Sequence, residues 1–189
     1  MSINLENLAQ RISDYEQRVR KSADEGRRGK FFEEFTFGEK IIHEEHDIVR
    51  EEDNLLFNLI THNNQSHHLL PDIAKEMGFD GVVVNGNYGL SMVVGLSLPE
   101  TTQNTIYLNV GYDKVFQWDA VKQTARLRFG DIVTASTIVH ELRPSSKPDA
   151  PYGIVTFEHT GYRQESFDSS REIFTTFLRT TLVQKENRI

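Results

Sequence analysis

From Gly86 to Leu98 the sequence GNYGLSMVVGLSL holds no charged side chain. A run of this length reads as a helix rather than a strand, and a helix that is apolar on every side has to be enclosed by other elements. Gly89 and Gly95 weaken it in isolation, yet they would let another backbone approach closely. The rest of the chain must therefore supply a wrapping. Four downstream segments are suited to it: Tyr107 to Val110, Gly130 to Leu142, Gly153 to Tyr162 and Arg171 to Val183 carry β-branched and aromatic residues, with turn signals such as PSSKPDAP and DSS between them. These are expected to be long antiparallel strands. Helices followed by a run of long strands predict an α+β domain in which a curved sheet wraps the apolar central helix.

Upstream, Leu5, Leu8, Ile12, Tyr15 and Val19 recur at helical spacing among charged residues, so residues 1–25 read as one amphipathic helix. Its narrow apolar stripe must cover this subunit's sheet or a partner's, because a lone helix gains little by itself. Gly26 and Gly29 then break the helix in a linker, GRRGK. Phe31 to Val49 reads as a leading loop and a strand around a turn at Gly38. In EEDNLLFNLIT, residues 51–61, Leu55, Phe57, Leu59 and Ile60 follow acidic residues suited to a helix N-terminus. Pro71 opens a short helix, PDIAKEMGF, where its missing N–H costs nothing. Residues 26–189 are read as a single domain following the N-terminal helix.

The net charge of -7 gives no electrostatic footprint for a polyanion, so nucleic acid is not expected as a partner. With no cysteine, disulfides, thiolate nucleophiles and cysteine metal sites are excluded. No apolar run approaches the roughly 20 residues needed to span a bilayer, and the N-terminus lacks the pattern of a signal peptide. The expected location is cytoplasmic, without membrane association.

His43 and His46 invite a metal reading, but odd spacing in a strand puts the two rings on opposite faces, so a solvated polar face is expected and no metal. The cluster from Thr61 to His68, THNNQSHH, differs in kind. Its polar density between apolar elements suggests a lined pocket, although a hydrophilic helix-capping loop would use the same residues.

The order FFEEFTFGE, EEDNLLFNLITHNNQSHH, GFDGVVVNGNYGLSMVVGL and RFGDIV resembles the MaoC-like dehydratase family, hotdog-fold hydratases that add water to enoyl-CoA thioesters. The likeness runs from about Gly29 to Gln184. In the family's motif a Phe precedes an Asp by six positions, the Asp precedes a His by five, and Asn-Pro lies between. Phe57 sets that register here, which places Asn63 at the Asp, Gln65 and Ser66 at Asn-Pro, and His68 at the His. His62 and His67 are also five apart and offer a second register, but Asp53 and Phe57 favour the first. The family's His-Gly pair at the start of the central helix is Asn85-Gly86 here. With LNVGYDKVF and FGDIV, the pattern is most similar to the mesaconyl-CoA and itaconyl-CoA hydratase branch.

The resemblance implies that Asn63, His68 and Gly86 carry the chemistry, with Gln65, Ser66 and Asn85 holding substrate. Adding water to an unsaturated thioester needs a donor for the negative charge that gathers on the carbonyl oxygen and a group that moves the water's protons. The Gly86 N–H, unpaired in the first turn and at the positive end of the helix dipole, suits the first task. A histidine suits the second. Asn63 departs from the family pattern: an amide can orient water but cannot take its proton.

Three functions stand open at this point. The chain is a hydratase or dehydratase of an acyl-CoA thioester, with a branched C5 acyl group among the candidates. Alternatively it is a hotdog thioesterase using Glu51, Glu52 or Asp53, or an acyl-CoA-binding subunit without turnover. None needs a metal or a separate cofactor, since coenzyme A arrives as part of the substrate. Lys114, Lys122, Arg126 and Arg128 are candidates for its phosphates, and the acyl group would be sized by Val83, Tyr88, Met92 and Trp118. The resemblance also implies a homodimer.

Overall fold

The computed structural model of the chain describes residues 5–25, 29–102, 107–108 and 121–186. Helix α1 (Leu5–Asp24) is followed by a 3-10 turn at Phe32–Glu34, strands β1 (Lys40–Ile42) and β2 (Asp47–Ile48), and α2 (Glu51–Ile60). A second 3-10 turn at Ser66–His68 leads to α3 (Pro71–Glu76) and α4 (Gly86–Thr101). Then come β3 (Tyr107–Leu108), β4 (Lys122–Gln123), β5 (Ile132–Pro144), β6 (Tyr152–Gln164) and β7 (Glu172–Gln184). Among the described residues the strands form a seven-stranded antiparallel sheet in the order β1-β5-β6-β7-β3, with β2 also on β5 and β4 also on β7. Register shifts between Val139 and Glu141 and between Gly161 and Tyr162 add local twist, which helps the sheet curve around α4. This is the α+β hotdog arrangement expected from the sequence. Lys114, Trp118 and the far end of the first expected strand lie outside the described residues.

α4 rests against β5 and β6. Leu90, Val93 and Leu96 are buried with Val133 and Ala135 of β5 and Phe174 and Phe177 of β7. Burial of each large apolar side chain contributes roughly 1.5–3 kcal/mol. Close approach depends on Gly161 of β6, where a Cβ would lie 2.5 Å from a Val93 methyl and 2.7 Å from the Phe174 ring. Gly89 acts similarly, its absent Cβ leaving space for Leu127 at 2.8 Å. Gly95 does not have the role expected of it: it is exposed, with nothing within 4 Å of its Cβ position. It faces away from the sheet, so sequence spacing within the helix identified only one of the two contact glycines.

A second apolar cluster, Phe35, Ile41, Val139, Val155, Phe157 and Val183, fills the other end of the sheet. Between the clusters runs a buried polar chain. The Arg179 guanidinium donates through Nε to His159 Nε2 at 3.0 Å, so His159 carries its proton on Nδ1 and donates to Thr137 Oγ1 at 2.8 Å. Thr137 then donates to His43 Nε2 at 2.7 Å, and His43 Nδ1 donates to Glu100 near the end of α4 at 2.7 Å. The expectation of a solvated His43 is thereby corrected: it is 4% exposed and tied to the helix. His46 is exposed and sets its ring edge-on to Phe167. Among the described residues no group of three His, Asp or Glu side chains is arranged to hold a metal.

α1 is pinned by a two-pronged ion pair from Arg11 to Asp53 of α2, at 2.8 and 2.6 Å. Its stripe residues Ile12, Tyr15 and Val19 are exposed in the single chain. No described helix is long and apolar enough to cross a membrane.

Gly161→Ala should cost about 1–3 kcal/mol through overpacking against Val93, measured as a lower denaturation midpoint with unchanged slope. An unmoved midpoint would mean that the helix is not seated there. A second expectation concerns pH. Burial, then Arg179 and His43, hold His159 well below the ordinary histidine range. An unfolded histidine binds a proton near about pH 6.5, so below that point the unfolded state holds more protons and stability is lost as the pH is lowered, by up to about 1.4 kcal/mol per unit for this group. His159→Gln keeps one donor and one acceptor but cannot titrate. Its stability should therefore fall less steeply than the parent's between about pH 7 and 5; matching slopes would contradict the assignment.

Candidate active site

The polar segment after α2 is shaped by how that helix stops. Thr61 N–H bonds to Phe57, His62 N–H to Leu59 and Asn63 N–H to Asn58, with His62 in the left-handed region at φ 55°. This is the closing pattern in which carbonyls of the last turn are satisfied by residues beyond it. His62 is exposed and serves the cap, which separates the two sequence registers: the second would need it at the site. Asn63 Oδ1 accepts from Gln65 N–H at 3.2 Å, turning the chain into the Ser66–His68 turn.

That turn delivers His68 inward, to 8% exposure. Its Nδ1 lies 2.7 Å from the Val83 carbonyl, which can only accept, so Nδ1 bears the proton and the neutral ring keeps its free lone pair on Nε2. Among the described residues Nε2 has no partner. In return Val83 N–H bonds to the His67 carbonyl at 2.9 Å, which ties the turn to the segment leading into α4. The His67 ring, tilted by 50°, has its centre 4.1 Å from that of His68, and burial, then His68, lower its pKa.

α4 begins at a capped end. Asn85 Oδ1 accepts from Asn87 N–H at 2.9 Å, while its Nδ2 donates to Asn58 Oδ1 at 2.7 Å and its backbone N–H donates to Asn54 Oδ1 at 2.8 Å. Gly86, first in the helix, keeps an N–H with no protein partner among the described residues. Gln123 of β4 lies over it: a Cβ on Gly86 would fall 2.2 Å from the Gln123 amide nitrogen.

Asn63, Gln65, His68, Asn85 and Gly86 all line one cavity of about 600 Å³, together with His67, Phe79, Gln123, Arg126 and Phe174. Ser66 does not. Its carbonyl closes the turn by accepting from Leu69 and Leu70, and its side chain is absent from the cavity wall, contrary to the expectation of substrate contact. Tyr88 and Met92, expected to size the pocket, belong to the core around α4 instead, whereas Val83 does line it. The wall carries no carboxylate among the described residues: Asp53 is engaged by Arg11, and Glu51 lines a neighbouring cavity. That second cavity, about 720 Å³, shares Val83, Ala125, Arg126 and Leu127 with the first and adds Lys75, Arg128 and Arg163. Lys122 lines neither.

Asn54, Asn58 and Gln123 were missed in the sequence. The first two had a signal, two amides four apart on a helix, and both are 1% exposed. The apolar residues that marked the helix mislead as to its inner face, since Leu59 and Ile60 are 66% and 71% exposed. Gln123 had no such signal.

As a chemical device the cavity presents a hydrogen-bond donor at a helix N-terminus, an imidazole nitrogen with a free lone pair and an amide able to orient water. The sequence matches the Mesaconyl-CoA hydratase family over residues 13–189. It is 26% identical over 163 residues to the mesaconyl-CoA hydratase of Haloarcula hispanica, covering 86% of this chain and 42% of that one. The fold is similar to that of the MaoC-like dehydratase from Rhodospirillum rubrum, with a TM-score of 0.62, 18% identity and coverage of 83% and 99%. It is also similar to that of a Mycobacterium tuberculosis protein with a double hotdog fold, with a TM-score of 0.63, 18% identity and coverage of 85% and 46%. The chain thus spans less than half the length of the Haloarcula and Mycobacterium proteins. Its match along nearly the whole sequence places the chain in the mesaconyl-CoA hydratase family, within the MaoC-like hotdog proteins.

Proposed function

We propose that this protein adds water to, or removes it from, an enoyl-CoA thioester, with a branched C5 acyl chain as the preferred substrate class. One observation carries the reading: His68, with no partner on Nε2, and Gly86, with none on its N–H, among the described residues, line the same cavity. Water held by Asn63 attacks the β-carbon while His68 Nε2 takes one of its protons. The electron pair of the double bond moves toward the thioester oxygen, where the Gly86 N–H stabilises the enolate. The imidazolium then returns the proton to the α-carbon, so that one water is added in total. A donor such as Gly86 contributes about 3–4 kcal/mol in a water-excluded site.

Coenzyme A enters as part of the substrate, and no other cofactor is required by these steps. Arg126, whose guanidinium lies 4.6 Å from the Phe79 ring centre, stands where the two cavities join, with Arg128 and Lys75 beyond it. We assign the larger cavity to the phosphorylated end of the coenzyme. The protein is read as a cytoplasmic homodimer in which the helix of residues 1–25 is appended to the catalytic domain of residues 26–189.

Asn63 favours one other reading, an acyl-CoA-binding subunit without turnover, because general-base assistance is worth about 10²- to 10⁴-fold and an amide cannot supply it. The thioesterase reading loses its nearby carboxylates, Glu51 and Asp53, to the neighbouring cavity and the Arg11 pair.

Incubation with mesaconyl-CoA and crotonyl-CoA should show loss of the enoyl-thioester absorbance without release of free thiol, and His68→Gln should slow it by about 10²- to 10⁴-fold. Asn63→Asp should raise the rate. A parent and an Asn63→Asp variant both silent over hours would exclude these substrates, and thiol release would favour the thioesterase. Substituting Arg126 by Ala should raise KM for the CoA thioester while leaving turnover of the short N-acetylcysteamine thioester little changed; an equal effect on both would dismiss the phosphate assignment.

A further inference from the structure

The two fully buried positions of α2 carry amides where an amphipathic helix would ordinarily put aliphatic side chains. Burying an amide costs free energy unless its donors and acceptor are satisfied, and where these two are satisfied is informative. Asn58 Nδ2 donates to the Asn54 carbonyl at 2.8 Å, which turns Asn58 Oδ1 toward Asn85 Nδ2 at 2.7 Å. Asn54 Oδ1 accepts the Asn85 backbone N–H at 2.8 Å, and its Nδ2 faces the His68 carbonyl at 3.4 Å. The Asn58 carbonyl also holds Asn63 N–H at 2.9 Å. The side chains of these two residues thus reach Asn85 and the His68 backbone, the Asn58 main chain holds Asn63, and neither residue lines the cavity.

The directions of these bonds matter as much as their number. With Nδ2 held by Asn58, the Asn85 amide cannot flip, so its Oδ1 is committed to Asn87 N–H. The Asn85 N–H is consumed by Asn54. Between those two satisfied donors, the Gly86 N–H is left over for a ligand. We infer that Asn54 and Asn58 are positioning residues: acting through the Asn85 cap and the His68 backbone, they keep the Gly86 N–H free and hold it in register with the His68 ring. This rests on the hydratase reading, which assigns those two groups to one thioester.

The substitution to make is Asn58→Leu, with Asn58→Ser as the smaller change should the first fail to fold. In the full-length protein acting on mesaconyl-CoA, kcat should fall by about 10- to 100-fold with KM within about threefold, since a misplacement of about 1 Å at a reacting group is worth on the order of 10²-fold. In an Asn85→Ala background the same substitution should add little, because Asn58 acts through Asn85. A residue that merely stabilises the fold would instead lower the melting temperature, leave kcat per folded molecule unchanged, and act equally in both backgrounds; that result overturns the inference.

A measurement free of turnover separates this failure from failure of the hydratase reading. In ¹⁵N-labelled parent the Asn85 side-chain amide should exchange slowly and the Gly86 amide quickly, and mesaconyl-CoA should shift the Gly86 signal. In Asn58→Leu the Asn85 protection and the Gly86 shift should both be lost. An inactive parent that shows these changes sinks the hydratase reading alone, whereas unchanged Asn85 and Gly86 signals in the variant sink the positioning role whatever the activity.

Discussion

Seating α4 against the sheet with its first turn at a cavity wall is the constraint from which the site follows. The first N–H groups of a helix have no partner within it, and a helix enclosed by a sheet cannot pass them all to bulk water. Here Asn85 satisfies one with its own side chain and is itself held by Asn54 and Asn58. All three are buried, and none is ionisable, so the arrangement satisfies the helix end without desolvating a charge. Gly86 remains, a donor at the positive end of the helix dipole with a cavity in front of it.

The other end of the same helix faces a related problem with the opposite sign. Glu100 lies near the C-terminus of α4, where the dipole disfavours negative charge. His43 donates to it, and the chain of donors behind His43 runs through Thr137 and His159 to Arg179. A row of hydrogen-bonded polar side chains thus crosses the sheet interior between two apolar clusters. The helix is therefore fixed by hydrogen bonds at both ends and by aliphatic contact along its length.

Two adjoining cavities share a wall formed by Val83, Ala125, Arg126 and Leu127. The inner one is lined by amides and imidazoles, where the family pattern places an aspartate at residue 63. The His68 ring in it has its tautomer set by the Val83 carbonyl. That same bond, with its return partner from Val83 to His67, locks the turn to the segment feeding α4. Orientation of the ring and approach of the helix are thus parts of one strapping.

Much of this was written in local pattern. The uncharged stretch at residues 86–98 announced the central helix and the β-branched segments announced the strands it packs on, but the helix is not enclosed on every side, since Asn87, Ser91 and Gly95 are exposed along one stripe. The polar density from Thr61 to His68 and its resemblance to the family motif singled out a turn, of which Asn63, Gln65 and His68 line one cavity. Ser66 does not, since a 3-10 turn points successive side chains in different directions and spacing alone does not say which way. Tertiary structure decided what local pattern left open: that α2 turns Asn54 and Asn58 inward while Leu59 and Ile60 face outward, that Gly161 rather than Gly95 admits the helix, and that His43 is a buried link. Each depends on a partner distant in the chain, and a hydrogen-bond partner or a contact distance exists only once the fold has brought both residues together.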